Sequence, residues 1–104
     1  MVSRIAPSAA SALLKSGSAV LLDVRTPAEY QKRHIPGSIL VPDYELEERA
    51  DELLPDLAAP IVVYCQTGHR SADAADLLDE LGYTAIYDLG SINAWPFGTV
   101  SSNQ

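Results

Sequence analysis

Cysteine is almost missing from this 104-residue chain, with Cys65 the only one. A single cysteine cannot close an internal disulfide, so burial must hold the fold, and an intracellular, reducing, cytoplasmic setting is expected. Basic residues are also scarce: seven Lys and Arg stand against 14 Asp and Glu, for a formal net charge of -7. That balance argues against nucleic acid, whose phosphates require concentrated cations. Long apolar runs are lacking too. The stretch "SAASALL" is short, Ser-rich and followed by Lys15 and Gly17, so no export signal is expected. Nothing approaches the roughly 18 apolar residues of a membrane span, and no membrane association is expected.

What is present suits one compact domain, residues 1–104, with 47% hydrophobic and 20% charged residues. Ala9, Ala10, Leu13 and Leu14 recur at helical spacing between Pro7 and Ser16, and Gly17 suits the position after a helix. "AVLLDV", 19 to 24, fits a strand buried on both faces of a parallel sheet. "TPAE" then offers Thr26 as N-cap, Pro27 at the first helical position and Glu29 to complete a capping box, predicting a helix to about Arg33. His34 to Gly37 reads as a turn and "SILV" as a short strand. Asp43 is expected to cap a helix through Leu54, with Leu46, Ala50, Leu53 and Leu54 as its apolar stripe. "IVVYC", 61 to 65, is the most strand-like segment and is placed centrally. Ser71 is expected to open a helix with Ala74, Leu77, Leu78 and Leu81 inward, Gly82 to stop it, and "TAIYDL" to supply a last strand. This alternation predicts an α/β sandwich with a mostly parallel sheet, whose ligands bind beyond the carboxyl ends of the strands.

Cys65 falls at such an end, followed by Gln66, Thr67, Gly68, His69 and Arg70. Gly68 permits backbone dihedrals that turn successive N–H groups inward as an anion-binding nest. The following helix adds free N–H donors and the positive end of its dipole, and Arg70 adds a permanent charge. A sulfur in that field is biased toward thiolate, with His69 able to assist if its ring faces it. The competing reading is a small buried hydrophobe ending a strand. A structural cysteine, however, has no need of the Gly, His and Arg that follow, so catalytic or anion-binding use is favoured. Cys65, His69 and His34 are also potential metal ligands, but no paired-ligand spacing exists and Arg70 would sit beside the cation, so no metal is expected. Four of the seven basic residues, Arg25, Lys32, Arg33 and Arg70, lie in only two stretches. If these meet, an acidic chain gains a local anion-attracting patch.

Three segments resemble the signatures of the rhodanese superfamily, in order and across nearly the whole chain: "LLDVRTPAEYQKRHIPGSILVP", "IVVYCQTGHRSADAADLLDELGY" and "DLGSINAWP". The resemblance implies a three-layer sandwich, a five-stranded mostly parallel sheet with helices on both faces, and a single-domain sulfurtransferase without cofactor. Cys65 matches the family nucleophile, which takes sulfane sulfur from thiosulfate or a persulfide donor, releases sulfite from thiosulfate, and carries the sulfur as a persulfide. The acceptor is cyanide or a thiol, a thioredoxin-like protein being one candidate. Gln66, Thr67, Gly68, His69 and Arg70 match the cradle around the sulfur. Relatives acting on phosphate or arsenate have one more loop residue, so the C-x4-R spacing favours sulfur chemistry. A binding or regulatory module is the alternative, with arsenate or phosphate chemistry ranked below it. The loop is expected to be shallow and open to solvent.

Around that loop, Asp23 is read as structural, while Arg25 is weighed between structural pairing and a place in the substrate-binding set. His34 is read as a turn residue bonded to nearby backbone. Trp95 is read as a packing anchor with its indole N–H bonded. Ser91 stands where the family commonly has a second glycine, which puts that turn's geometry in question.

Overall fold

The computed structural model describes residues 2–102. Five strands form one sheet in the order β1-β5-β4-β2-β3, every pair parallel. In chain order the elements are β1 (Val2–Arg4), α1 (Pro7–Lys15), β2 (Val20–Asp23), α2 (Pro27–Lys32), β3 (Ile39–Leu40), α3 (Leu46–Leu53), β4 (Ile61–Cys65), α4 (His69–Glu80) and β5 (Ile86–Ser91). β4 lies at the centre, as its composition predicts, and all five of its residues are buried. The strand that sequence reading left unplaced is β1. Its three residues are exposed, so they carry no apolar pattern to read.

The period-2 alternation of a strand sorts the core into two layers. Leu22, Val24, Ile61, Val63 and Cys65 pack with Leu46 and Ala50 of α3 and Ala74, Ala75 and Leu78 of α4. Leu21, Val62 and Tyr64 pack on the other face with Ala10 of α1, Leu89 and Ile92. The helices therefore cover both faces, and Cys65 points toward the α4 side.

Helix starts depart from the sequence reading in two places. α3 begins at Leu46 after a 3-10 turn over Asp43–Glu45, and Asp43 makes no side-chain cap. α4 begins at His69 rather than Ser71, with Gly68 at the cap position and φ of 102°. Ser71 lies inside the first turn, buried, its hydroxyl donating to the carbonyl of Gly68 at 3.1 Å. A positive φ is open to glycine at little cost, so a cap at Gly68 brings the helix three residues nearer the sulfur than a cap at Ser71 would. The capping box of α2 forms as read: Thr26 accepts from Glu29 N–H at 3.2 Å, and the Glu29 carboxylate accepts from Thr26 N–H at 3.0 Å.

Candidate functional site

The site is built where β4 runs into α4. Cys65 is fully buried, although the loop above it is as open to solvent as the sequence leads one to expect. The sulfur lies beneath a loop whose Thr67 and His69 are exposed while Gln66, Gly68 and Arg70 are half-buried. Gly68 N–H donates to Cys65 Sγ at 2.9 Å. The left-handed Gly68 then turns the chain directly from this contact into α4. His69 does not cap the sulfur from above. Its ring is exposed and its Nδ1 lies 3.3 Å from Thr67 Oγ1.

The other side of the loop is held by β5. After Val63 faces Asp88, the register slips so that Tyr64 faces Gly90 and Cys65 faces Ser91, leaving Leu89 as the extra residue of a bulge. Gly90 takes φ of 86°, its N–H bonded to Asp88 Oδ1 at 2.9 Å, and an added Cβ there would lie 3.4 Å from Arg4 Nη2. Bulges of this kind re-aim the following side chain. Here the Ser91 hydroxyl donates to the Gln66 carbonyl at 2.6 Å and accepts from Asn93 N–H at 3.0 Å. Ser91 has ordinary extended dihedrals, φ −88° and ψ 135°, so the turn has no need of a second glycine.

Arg25 is buried beside the site. Its Nε and Nη2 donate to the Asp23 carboxylate at 2.7 to 3.1 Å, Nη2 also to the Arg33 carbonyl at 2.6 Å, and Nη1 to Gln66 Oε1 at 3.0 Å. Its guanidinium carbon lies 5.6 Å from the centre of the Tyr64 ring. Burial works against this charge, but the hydrogen bonds and charge of Asp23 outweigh it and hold the Arg25 pKa above the ordinary guanidinium value. Arg25 is thus a buried strut that also orients Gln66. Tyr64 continues the framework: its hydroxyl accepts from Ile35 N–H at 3.1 Å and donates to Ser38 Oγ at 3.2 Å, and burial raises its pKa.

Arg70 donates to both oxygens of Glu29, at 2.8 and 2.9 Å. The Arg70 hydrogen bonds lead the stabilisation that lowers the Glu29 pKa to about 2, against the opposing effect of burial. The guanidinium is raised in turn, first by its hydrogen bonds to Glu29. Sequence reading assigned Glu29 to the capping box alone; its second role joins residues 41 apart and leaves no local signal. A cleft of about 420 Å³ opens beside the loop, lined by Arg25, Glu29, Lys32, Arg33 and Gln66, so the two basic stretches do meet.

The remaining candidates lie elsewhere. His34 Nδ1 is 2.8 Å from the Tyr30 carbonyl oxygen, and its ring stacks on Tyr30 at 3.8 Å. It is a framework residue, in keeping with the turn reading. Trp95 packs against the α1 side of the core and edge-on to Phe97, but its indole N–H is buried without a partner. Trp95 lies along a cleft lined by Leu14, Ile35, Pro36 and Phe97 together with Ser11 and Lys15, and the expected bond is not formed to either of those polar side chains. Among the described residues, no group of three or more His, Cys, Asp or Glu is placed to hold a metal ion, and no helix is long and apolar enough to cross a membrane.

Comparison with known proteins converges on one family. The model of the rhodanese-like domain matches residues 6–96. The chain is similar to the thiosulfate sulfurtransferase PspE of Escherichia coli, 38% identical over 71 residues that make up 68% of each chain. It is also similar to the thiosulfate sulfurtransferase GlpE of Pseudomonas syringae, 37% identical over 93 residues, 88% of this chain and 85% of that protein. Among solved structures, the human single-domain sulfurtransferase TSTD1 superposes with a TM-score of 0.81 at 31% identity, covering 88% of this chain and 93% of its own.

Proposed function

This chain belongs to the rhodanese-like domain family, and from that membership we propose that it is a thiosulfate sulfurtransferase working through a persulfide on Cys65. In the proposed first step the Cys65 thiolate attacks the outer sulfur of thiosulfate. The S–S bond of the donor breaks, sulfite leaves with the electron pair, and the sulfur remains as a persulfide on Cys65. In the second step cyanide or a thiolate, free or on a thioredoxin-like protein, attacks that outer sulfur, and Cys65 leaves as thiolate. Electrons balance within the two displacements, so neither metal nor cofactor enters.

One observation carries the reading: Gly68 N–H donates to Cys65 Sγ at 2.9 Å at the N-terminus of a twelve-residue helix. A donor amide and a helix dipole stabilise negative charge on sulfur, both on the attacking thiolate and on the anion released in discharge. Gln66, Thr67, Gly68, His69 and Arg70 form the donor-binding shell in this proposal, with Arg25 supporting it through Gln66. Only Gln66, Thr67 and Gly68 separate the sulfur from α4. So short a loop favours a single sulfur atom over a tetrahedral phosphate or arsenate.

Incubation with thiosulfate, read by intact mass, is expected to add one sulfur that a thiol then removes, and Cys65→Ser is expected to add none. Absence of the adduct with thiosulfate and with persulfide donors would overturn the proposal.

A further inference from the structure

We propose that Lys32 and Arg33 select the sulfur acceptor, favouring a small thiol that carries carboxylates. This rests on the persulfide reading and names the acceptor class for the same site.

The inference comes from pairing the charges around the cleft. Arg25 is neutralised by Asp23 at 2.7 Å, and Arg70 by Glu29 at 2.8 Å. Two cations remain. Arg33 Nη2 donates to Asn93 Oδ1 at 2.8 Å, an uncharged partner that leaves its charge uncompensated. Lys32 is exposed. Among the described residues, neither meets a carboxylate within ion-pair distance. Yet both line the cleft, whose wall includes Gln66, the residue after Cys65. A chain of net charge -7 therefore presents two unpaired positive charges in a cleft walled by the residue that follows Cys65, a local field opposite in sign to the net charge of the chain.

The size of the cleft decides which reactant this field serves. At about 420 Å³ it falls in the range of small-molecule sites, roughly 300–1,000 Å³. That is much larger than a thiosulfate ion, which needs only the space above the sulfur. An acceptor has a body as well as a thiol, and the cleft gives carboxylates on that body two cations to meet while the thiolate reaches the persulfide. The acceptor thiolate bonds to the outer sulfur, the persulfide S–S bond breaks, and Cys65 recovers the electron pair, so no further reactant is needed.

The test reads discharge alone. Protein is loaded with thiosulfate to completion by intact mass, freed of donor, and mixed with glutathione or with its diethyl ester, the same thiol with both carboxylates masked. The wild type is expected to discharge faster to glutathione. The Lys32→Ala/Arg33→Ala double variant is expected to lose about tenfold in the glutathione rate constant and to change little with the ester, since two exposed ion pairs contribute on that order. The charge-retaining swap Lys32→Arg/Arg33→Lys is expected to keep the preference, and added salt to erode it in the wild type. Equal slowing with both thiols, no slowing with either, or an effect confined to loading would overturn the selectivity while leaving the persulfide intact. A chain that never gains the sulfur would overturn the parent reading, and this one with it.

Discussion

Arg70 holds both carboxylate oxygens of Glu29, and so ties the first turn of α4 to the first turn of α2. The same carboxylate accepts from Thr26 N–H and the Thr26 hydroxyl. One side chain thus closes a helix cap and anchors the arginine that follows the Cys65 loop.

That pairing makes part of the stability acid-sensitive. Glu29 has its pKa lowered from 4.5 to about 2, so its contribution is fully present above pH 4.5 and is lost as pH falls toward 2. Both side chains keep about a third of their surface in water, 32% and 30%. The contribution is therefore discounted to about 1 kcal/mol. Glu29→Gln is expected to lose about that amount at pH 7 and to show a flatter stability profile between pH 4.5 and 2, measured by urea unfolding across pH.

A larger effect is expected at Arg25. Arg25→Met removes the partner of the buried Asp23 carboxylate and the donor to Gln66. Leaving a buried charge uncompensated costs about 3–5 kcal/mol. The denaturation midpoint is expected to fall accordingly, and persulfide loading to slow in whatever fraction stays folded. An unchanged midpoint would mean that water reaches Asp23.

How far the sequence reveals this molecule depends on the range of the interaction. Thr26, Pro27 and Glu29 act within four residues, and the capping box they announce is present. The two-faced burial of β4 follows from its unbroken apolar run. At the start of α4 Ser71 is the better cap by residue type, whereas Gly68 takes the position through its left-handed backbone and its bond to the sulfur. Glu29 with Arg70 and Ser91 with Gln66 join residues 41 and 25 apart, distances at which only the sheet order decides who meets whom. Gly68, His69 and Arg70 are legible from their chemistry and Gln66 and Thr67 from the family resemblance, whereas the supports from Glu29 and Ser91 emerge only from the fold.

Gly68→Ala tests the amide on the sulfur. An added Cβ has space, its nearest contact being Gly90 Cα at 4.0 Å, so any cost is conformational. A non-glycine residue at this φ costs about 1–2 kcal/mol. Relaxation would swing the amide away from Sγ. Stopped-flow loading with thiosulfate is expected to slow by at least the tenfold that corresponds to about 1.4 kcal/mol of lost charge stabilisation. Loading at the wild-type rate would remove Gly68 N–H from the chemistry.

Ser91→Ala tests the opposite side of the loop. It removes the bond to the Gln66 carbonyl and the acceptor for Asn93 N–H, and is expected to cost about 1 kcal/mol in unfolding. Ser91→Gly is expected to lose slightly more, because it also frees the unfolded backbone. Hydrogen exchange at Thr67 and Gly68 should quicken in both variants; protection equal to wild type would show that the loop holds its shape without Ser91.

The three-residue strand β1 bears on how the chain reaches this structure. Its only sheet neighbour is β5, with Val2 opposite Ile86, so the second residue waits for one near the other end of the sequence. During synthesis β1 has nothing to dock on until β5 has emerged, and that same late strand brings Ser91 to the loop. The surroundings of Cys65 and the closure of the sheet edge therefore both depend on β5. Contacts so distant in sequence are formed against a high loop-closure entropy. Catalytic competence is expected to appear only with the last step of folding, and a partly folded chain to carry an unsupported thiol.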